Sequence, residues 1–462
     1  YAVNEGKFTN DLLINALVSG SVGAYAKNGT VENNGTITSG YLGIYAEKDS
    51  SLSSSTTVVN QTGNMIINSG TGIYTKDEGT TTNLTGGKIT GSVAQLAGVA
   101  AYDKAQIVLN GTNIGLTGDK STALILGNST GNTDKSSLTV KSGNIAVGKE
   151  GTAIYSVNGD ITIDSGYTGI IALGEKGTGI YVDETSTLGG TGTVTIAYNH
   201  ASNKGAGIFY DGGTQTNTVS IKHQAGNNNL INIYGKDVTL TNNADQEVTS
   251  NGIGIYVNGA STLENNNNIT LVGEKSVGIV TETGSDILKI GTISGQDSKN
   301  DKIGVYVNGG SISDTSSYDF DISGGIGLYL NTATAYSGTV NVNSGTYDKY
   351  RTIGILAAAN HGTGNLSANV TVNGAGGIGI YQETGTDITY KGKIDLAGTS
   401  TATEQGIGVY TKTGSTFTLD NTGEVVIGGT NNLGFYVESG GTLNISGGKV
   451  SNTEDGIFAY LE

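Results

Sequence analysis

The chain has 462 residues, among them 76 Gly, 24 Tyr and one Met, and it contains no Pro, Cys or Trp. Without cysteine there are no disulfides and no thiolate metal sites. With 14% charged and 35% hydrophobic residues it is neither a disordered polyelectrolyte nor a membrane-helix protein, and a net charge of −16 with a single Arg, Arg351, leaves no basic stripe for nucleic acid.

The opening Tyr1-Ala2-Val3-Asn4-Glu5 has neither the basic start nor the apolar run of a signal peptide. From there Thr, Val, Ile, Tyr, Gly and Asn recur, the vocabulary of short strands and tight turns. A short motif returns in chain order, ending at Tyr25, Tyr45, Tyr74, Tyr102, Tyr155, Tyr181, Tyr234, Tyr256, Tyr306, Tyr329, Tyr381, Tyr410, Tyr436 and Tyr460. Its clean form is Gly252-Ile253-Gly254-Ile255-Tyr256, repeated as Gly325 to Tyr329, Gly377 to Tyr381 and Gly406 to Tyr410. Ile125, Phe209, Val280 and Leu356 take the tyrosine's place in four copies. Counting Tyr1, about nineteen anchors stand about 25 residues apart.

That period excludes a propeller blade, which needs about 40 residues, and no i, i+3, i+4 spacing supports a helical repeat. Each copy holds up to three strand-like stretches between Gly, Asn, Ser and Asp turns. After Tyr256 come Ser261-Thr262-Leu263, an Asn run from Asn265 to Asn268, and Ile269-Thr270-Leu271-Val272. This predicts an all-β, right-handed parallel β-helix of about 18 coils, roughly 25 residues and three short strands per coil, as one continuous solenoid over 1–462.

Period-2 alternation places the Ile before each Tyr inward, together with the residue two earlier. Tyr and the glycine two before it then face outward, the glycine leaving room for a structural Tyr ladder in register. A sugar-stacking strip and an inverted arrangement with Tyr inside are the alternatives.

Chemistry is sparse. His200, His223 and His361 lie in separate coils without metal-ligand spacing and read as lone surface residues. No G-D-S-G nucleophile motif appears, and one Arg gives little material for a β-helix lyase. The expectation is a non-enzyme with no catalytic, cofactor or metal site. Recognition is expected where the repeat fails, at a patch of Tyr318, Asp319, Phe320, Tyr336, Tyr347, Asp348, Tyr350 and Arg351, since aromatics and Arg dominate binding hot spots. A second candidate is Tyr198-Asn199-His200 with Phe209-Tyr210-Asp211.

The G-[IV]-G-[IV]-Y coil, with strands such as Gly441-Thr442-Leu443-Asn444-Ile445, resembles the passenger repeats of the large fusobacterial autotransporter adhesins, the RadD-type group. The resemblance spans essentially the whole chain. It implies a type V secretion passenger on the bacterial cell surface, held to the outer membrane by a C-terminal β-barrel not present in these residues. The chain would then be a fragment of a longer passenger. It also implies attachment to host cells or partner bacteria through galactose-type sugars or immune receptors. A self-associating aggregation scaffold and a β-helix carbohydrate-active enzyme are the competing functions.

Overall fold

The computed structural model describes residues 2–3, 5–49, 51–52, 55–129, 133–201, 204–295, 301–322, 324–343, 346–347 and 350–462; the side chains of 2, 3, 318–321, 346, 347 and 350 are outside that description. The fold is an all-β parallel solenoid of about 17 turns, about 25 residues per turn, with no α-helix among the described residues. The chain divides into two compact units, Tyr1–Tyr234 and Gly235–Glu462.

In the first unit a typical coil runs Thr71–Lys76, Thr80–Leu84 and Lys88–Gly91. The first turn needs left-handed backbone at Asp77 (φ 75°) and Gly79 (φ 84°), closed by the Thr80 amide donating to the Asp77 carbonyl at 3.1 Å. Each strand pairs in parallel with its counterpart one coil away, so identical positions stack. On the third strand the inward column reads Ile37, Met65, Ile89, Ile114, Ile145, Ile171 and Ile196, all buried. Burying such a side chain contributes roughly 1.5–3 kcal/mol, set against the entropy of ordering the coil.

Within the first strand the Ile before Tyr is fully buried at Ile44, Ile73, Ile154 and Ile180, and the tyrosines lie on the outer face. The glycine differs from expectation. The ladder pairs Thr71 with Leu42 and then Ile73 with Ile44, passing over Gly72 and Gly43. Two consecutive residues, Gly and Ile, therefore face inward, and the residue before them turns outward. A Cβ on Gly72 would lie 2.6 Å from the Gly98 carbonyl oxygen and 2.8 Å from Ile67 Cδ1. The glycine is required by close approach to the next coil and the core, and it makes no space for tyrosine rings.

The second strand carries a buried polar column. Asn10 Nδ2 donates to Asn33 Oδ1 (2.7 Å), Asn33 Nδ2 to Gln61 Oε1 (3.0 Å), and Gln61 Nε2 to the Gly63 carbonyl (2.9 Å). The same inward column continues as Leu84, Leu109, Val140 and Ile163. These amides thus line the interior, where sequence reasoning expected Asn chiefly at turns.

In the second unit the first-strand ladder runs regularly from Ile253–Asn258 to Ile457–Leu461. Its second-strand ladder does not. Thr239–Asn242, Thr262–Asn265, Asp286–Lys289 and Ser311–Ile312 form one sheet. Another begins only at Thr363–Leu366 and continues through Asp387–Tyr390, Thr416–Asp420 and Thr442–Ser446. Between them the chain forms an antiparallel hairpin, Thr346–Tyr347 with Tyr350–Arg351, and a 3-10 turn at Ala359–His361.

Candidate functional site

Three features of the outer surface can be built up from these strands. The first is the aromatic column. In the first unit the rings of Tyr25, Tyr45, Tyr74 and Tyr102 follow one another at 5.4, 5.6 and 5.3 Å between centroids, and Tyr155 and Tyr181 stack at 4.8 Å. Phe209 lies 4.6 Å from Tyr234. In the second unit Tyr306 and Tyr329 are 5.0 Å apart, and Tyr381, Tyr410, Tyr436 and Tyr460 follow at 4.9, 4.7 and 5.3 Å. Tyr256 occupies the same outer position and is half-buried.

The hydroxyls are used by the column itself. Tyr25 and Tyr45 both donate to Glu47 (2.5 and 2.6 Å), whose carboxylate also meets Lys76 Nζ at 3.1 Å. Tyr181 donates to Asp211 (2.9 Å), Tyr410 to Glu438 (2.7 Å) and Tyr436 to Glu462 (3.0 Å). Burial, then the Glu47 hydrogen bond, pushes the Tyr45 hydroxyl up to about 12. Burial works against ionisation of Glu47, but hydrogen bonds from Tyr25, Tyr45 and Lys76 outweigh it and hold the carboxyl below its usual range. In the second unit Ile378, Ile407 and Leu433 occupy the outward position before the glycine, buried beneath Tyr381, Tyr410 and Tyr436. The aliphatic residue expected inside is here the floor of the aromatic column.

The second feature is the patch expected from the sequence, which the structure distributes differently. Tyr318, Asp319 and Phe320 lie in the strand Ser317–Ile322, in register with Val340, Asn341 and Val342; their side chains lie outside the description. Asp348 lies outside the described residues. Tyr347 and Tyr350 are backbone partners in the hairpin. Arg351 Nη1 donates to the Gln405 carbonyl (2.6 Å) and the Gly376 carbonyl (3.2 Å), so it fastens its own coil to the two that follow. Tyr336 corrects the expectation: its side chain is fully buried, and its hydroxyl finds no hydrogen-bond partner among the described residues. A ring that fills the interior cannot be presented to a receptor.

The second candidate changes in the same way. Tyr198 and Tyr210 are buried, Tyr210 donating to Asn217 Oδ1 at 3.2 Å, while Phe209 belongs to the outer column. The histidines were expected at the surface, yet His361 is 2% exposed, and burial lowers its pKa.

The third feature had no sequence signal beyond a glycine at an outward strand position. A groove of about 410 Å³ crosses the third-strand face of the first unit, lined by Ile66, Asn68, Thr90, Ser92, Gly115 and Thr117 with the backbone of Ile67 and Gly91. In register, Ile66, Thr90 and Gly115 occupy one outward column. A Cβ on Gly115 would meet nothing within 4 Å, so the missing side chain is what opens the groove. No lining residue is charged. The floor offers C–H surface and the rim hydroxyls and an amide, a combination that suits a small uncharged ligand or a neutral protein surface.

Among the described residues no group of three or more His, Asp or Glu side chains is placed to hold a metal ion, and no helix is long and apolar enough to cross a membrane. No family model matches the chain, and no curated relative does. Among solved structures, a chain in "The cryo-EM structure of the Vag8-C1 inhibitor complex" is similar at 16% identity and a TM-score of 0.42, over 99% of this chain and 100% of that one.

Proposed function

We propose that this chain is the passenger solenoid of a surface-displayed adhesin of the autotransporter type, a non-enzymatic protein that attaches to a host receptor or surface glycan or to partner bacteria. In this reading it stands outside the cell, anchored to the outer membrane through a barrel carried elsewhere in the protein. The repeat style, the parallel solenoid and the absence of Cys and Pro all suit a chain exported extended and folded outside, coil upon coil.

The observation that carries the attachment reading is the uncharged groove over Ile66, Thr90 and Gly115. It is an open, amphiphilic hollow on an outer face, with apolar surface beside hydroxyls and an amide and with no charged side chain in its lining. The test is binding of the fluorescently labelled full chain to a panel of host cells and bacteria by flow cytometry. Gly115→Tyr places a ring in the groove from a Cβ that meets nothing within 4 Å, and should reduce binding about tenfold, as expected for loss of a central contact. Binding by neither cells nor bacteria, or release of sugar ends from a glycan panel, would sink the proposal. Binding that survives Gly115→Tyr would move the contact away from the groove.

A further inference from the structure

We infer that the outer tyrosine columns are oxidation sites, at which neighbouring rings couple into dityrosine and staple one coil covalently to the next. The inference begins with composition. The chain has no Cys and no Trp, and its one methionine, Met65, is fully buried. One-electron oxidation at the surface therefore falls on tyrosine, of which there are 24.

Geometry then selects among them. Tyr198, Tyr210, Tyr336 and Tyr390 are enclosed in the interior, whereas the column tyrosines sit on the outer face. Column rings lie 4.7 to 5.6 Å apart where tyrosine follows tyrosine. Their mutual tilt ranges from 9° for Tyr410 and Tyr436 to 39° for Tyr45 and Tyr74, so the column accommodates ring rotation toward a bonding approach. Several hydroxyls already donate to a carboxylate: Tyr25 and Tyr45 to Glu47, Tyr181 to Asp211, Tyr410 to Glu438. A phenol loses an electron far more readily when its proton has somewhere to go, and these carboxylates supply the acceptor.

The chemistry closes with a haem peroxidase and hydrogen peroxide as oxidant. Each of two neighbouring tyrosines gives up one electron and its hydroxyl proton, the proton passing first to the carboxylate and then to water. The two phenoxyl radicals form a C–C bond between carbons ortho to the oxygens. Each ortho hydrogen then moves as a proton to restore its hydroxyl. Two electrons and two protons leave in total, and one peroxide takes them up as two waters.

The columns are interrupted, which makes the inference specific. Ile125 pairs with Ala100 on one side and Tyr155 on the other, Leu356 stands between Tyr329 and Tyr381, and Phe209 follows Tyr181. None of these residues forms a phenoxyl radical, so links should fall within segments and stop at each interruption.

The test treats the dilute full chain with horseradish peroxidase and hydrogen peroxide, then maps cross-linked peptides by mass spectrometry alongside dityrosine fluorescence. Links are expected at 25/45, 45/74, 74/102, 155/181, 306/329, 381/410, 410/436 and 436/460. Phe209→Tyr should create new 209/234 and 181/209 links, the first the stronger because those rings are stacked at 4.6 Å, a gain that no loss of folding can imitate. Glu47→Gln should slow the 25/45 link several-fold relative to 155/181 in the same molecule. Links mainly between chains, links among non-neighbouring tyrosines, an equal yield in denaturing urea, or no new link in Phe209→Tyr would each overturn the inference. An unchanged rate in Glu47→Gln would overturn the acceptor role assigned to the carboxylate.

Discussion

The coils from Val22 to Tyr102 and the stretch from Ser311 to Leu366 are two versions of the same three-strand unit. In the first, side chains are supported by their counterparts in the next coil, Ile44 by Ile73, Tyr45 by Tyr74 and Asn33 by Gln61, and where Ala100 takes the register position opposite Tyr74 the ring of Tyr102 stacks there instead. In the second, the second strand drops out, Leu356 replaces the column tyrosine, and a hairpin takes up the extra chain. Support there comes from single groups used once: Arg351 on two distant carbonyls, Tyr336 filling the interior, His361 folded into a turn. Repetition spreads stability over columns, and where repetition fails individual side chains carry it.

The sharpest break of this contrast is steric. Gly72→Val should destabilise the regular coils by about 3 kcal/mol or more, because the new side chain meets the Gly98 carbonyl and Ile67. Gly115→Val, outward on the same unit, should change stability, read from urea unfolding, by less than about 0.5 kcal/mol. Equal effects at the two sites would disprove the inward assignment of Gly72. Next in size, Arg351→Met should cost about 2 kcal/mol by removing charge-assisted hydrogen bonds. Amide exchange should quicken around Gly376 and Gln405, with protection at Val22 to Tyr102 untouched. Tyr336→Phe should act in the opposite direction, raising stability by about 1 kcal/mol, since it removes a buried hydroxyl without a partner.

The smallest effects are those of pH, and they separate the two regions by sign. Tyr45 has its pKa raised to about 12, so its contribution is intact below pH 10 and is lost as pH rises from there through 12. His361 has its pKa lowered below 6.5, so its contribution is intact above that value and is lost as pH falls through the folded pKa. Urea midpoints from pH 4 to 12 should therefore decline at both ends. Tyr45→Phe should flatten the alkaline side and, because Glu47 loses one of its hydrogen bonds, the acid side to a smaller extent, whereas His361→Phe should flatten only the acid side.

Much of this fold is legible in the chain because the repeat prints it many times. The 25-residue period, the three strands and the inward Ile all follow from alternation around Tyr74 or Tyr410. The glycine was misread for a physical reason: alternation assumes a regular strand, and the double inward step at Gly72-Ile73 is imposed by the Gly98 carbonyl of another coil. Tyr336 departs from expectation, and the anchoring bonds of Arg351 were not foreseen, for a second. In an irregular coil no column tells which way a side chain points, and the carbonyls that hold Arg351 lie 25 and 54 residues further on. The groove at Gly115 was invisible because a hollow is made by what a residue lacks.

The amide column of the first unit has a consequence for how such a chain can grow or shrink. Asn10, Asn33 and Gln61 donate in one direction, Asn10 and Asn33 each to the amide of the successor and, at longer range, to a carbonyl of the successor's coil, until a main-chain carbonyl ends the series. From Leu84 to Ile163 the same column is apolar and makes no such demand. Excising the coil that contributes Gln61 would set Asn33 against Leu84 and strand a buried amide, whereas excising the coil of Leu109 would set Leu84 against Val140 and strand nothing. Coils that look interchangeable by their motif are thus ordered like words in a sentence, and gain or loss of copies by genetic slippage should be tolerated in the apolar run and purged in the amide run.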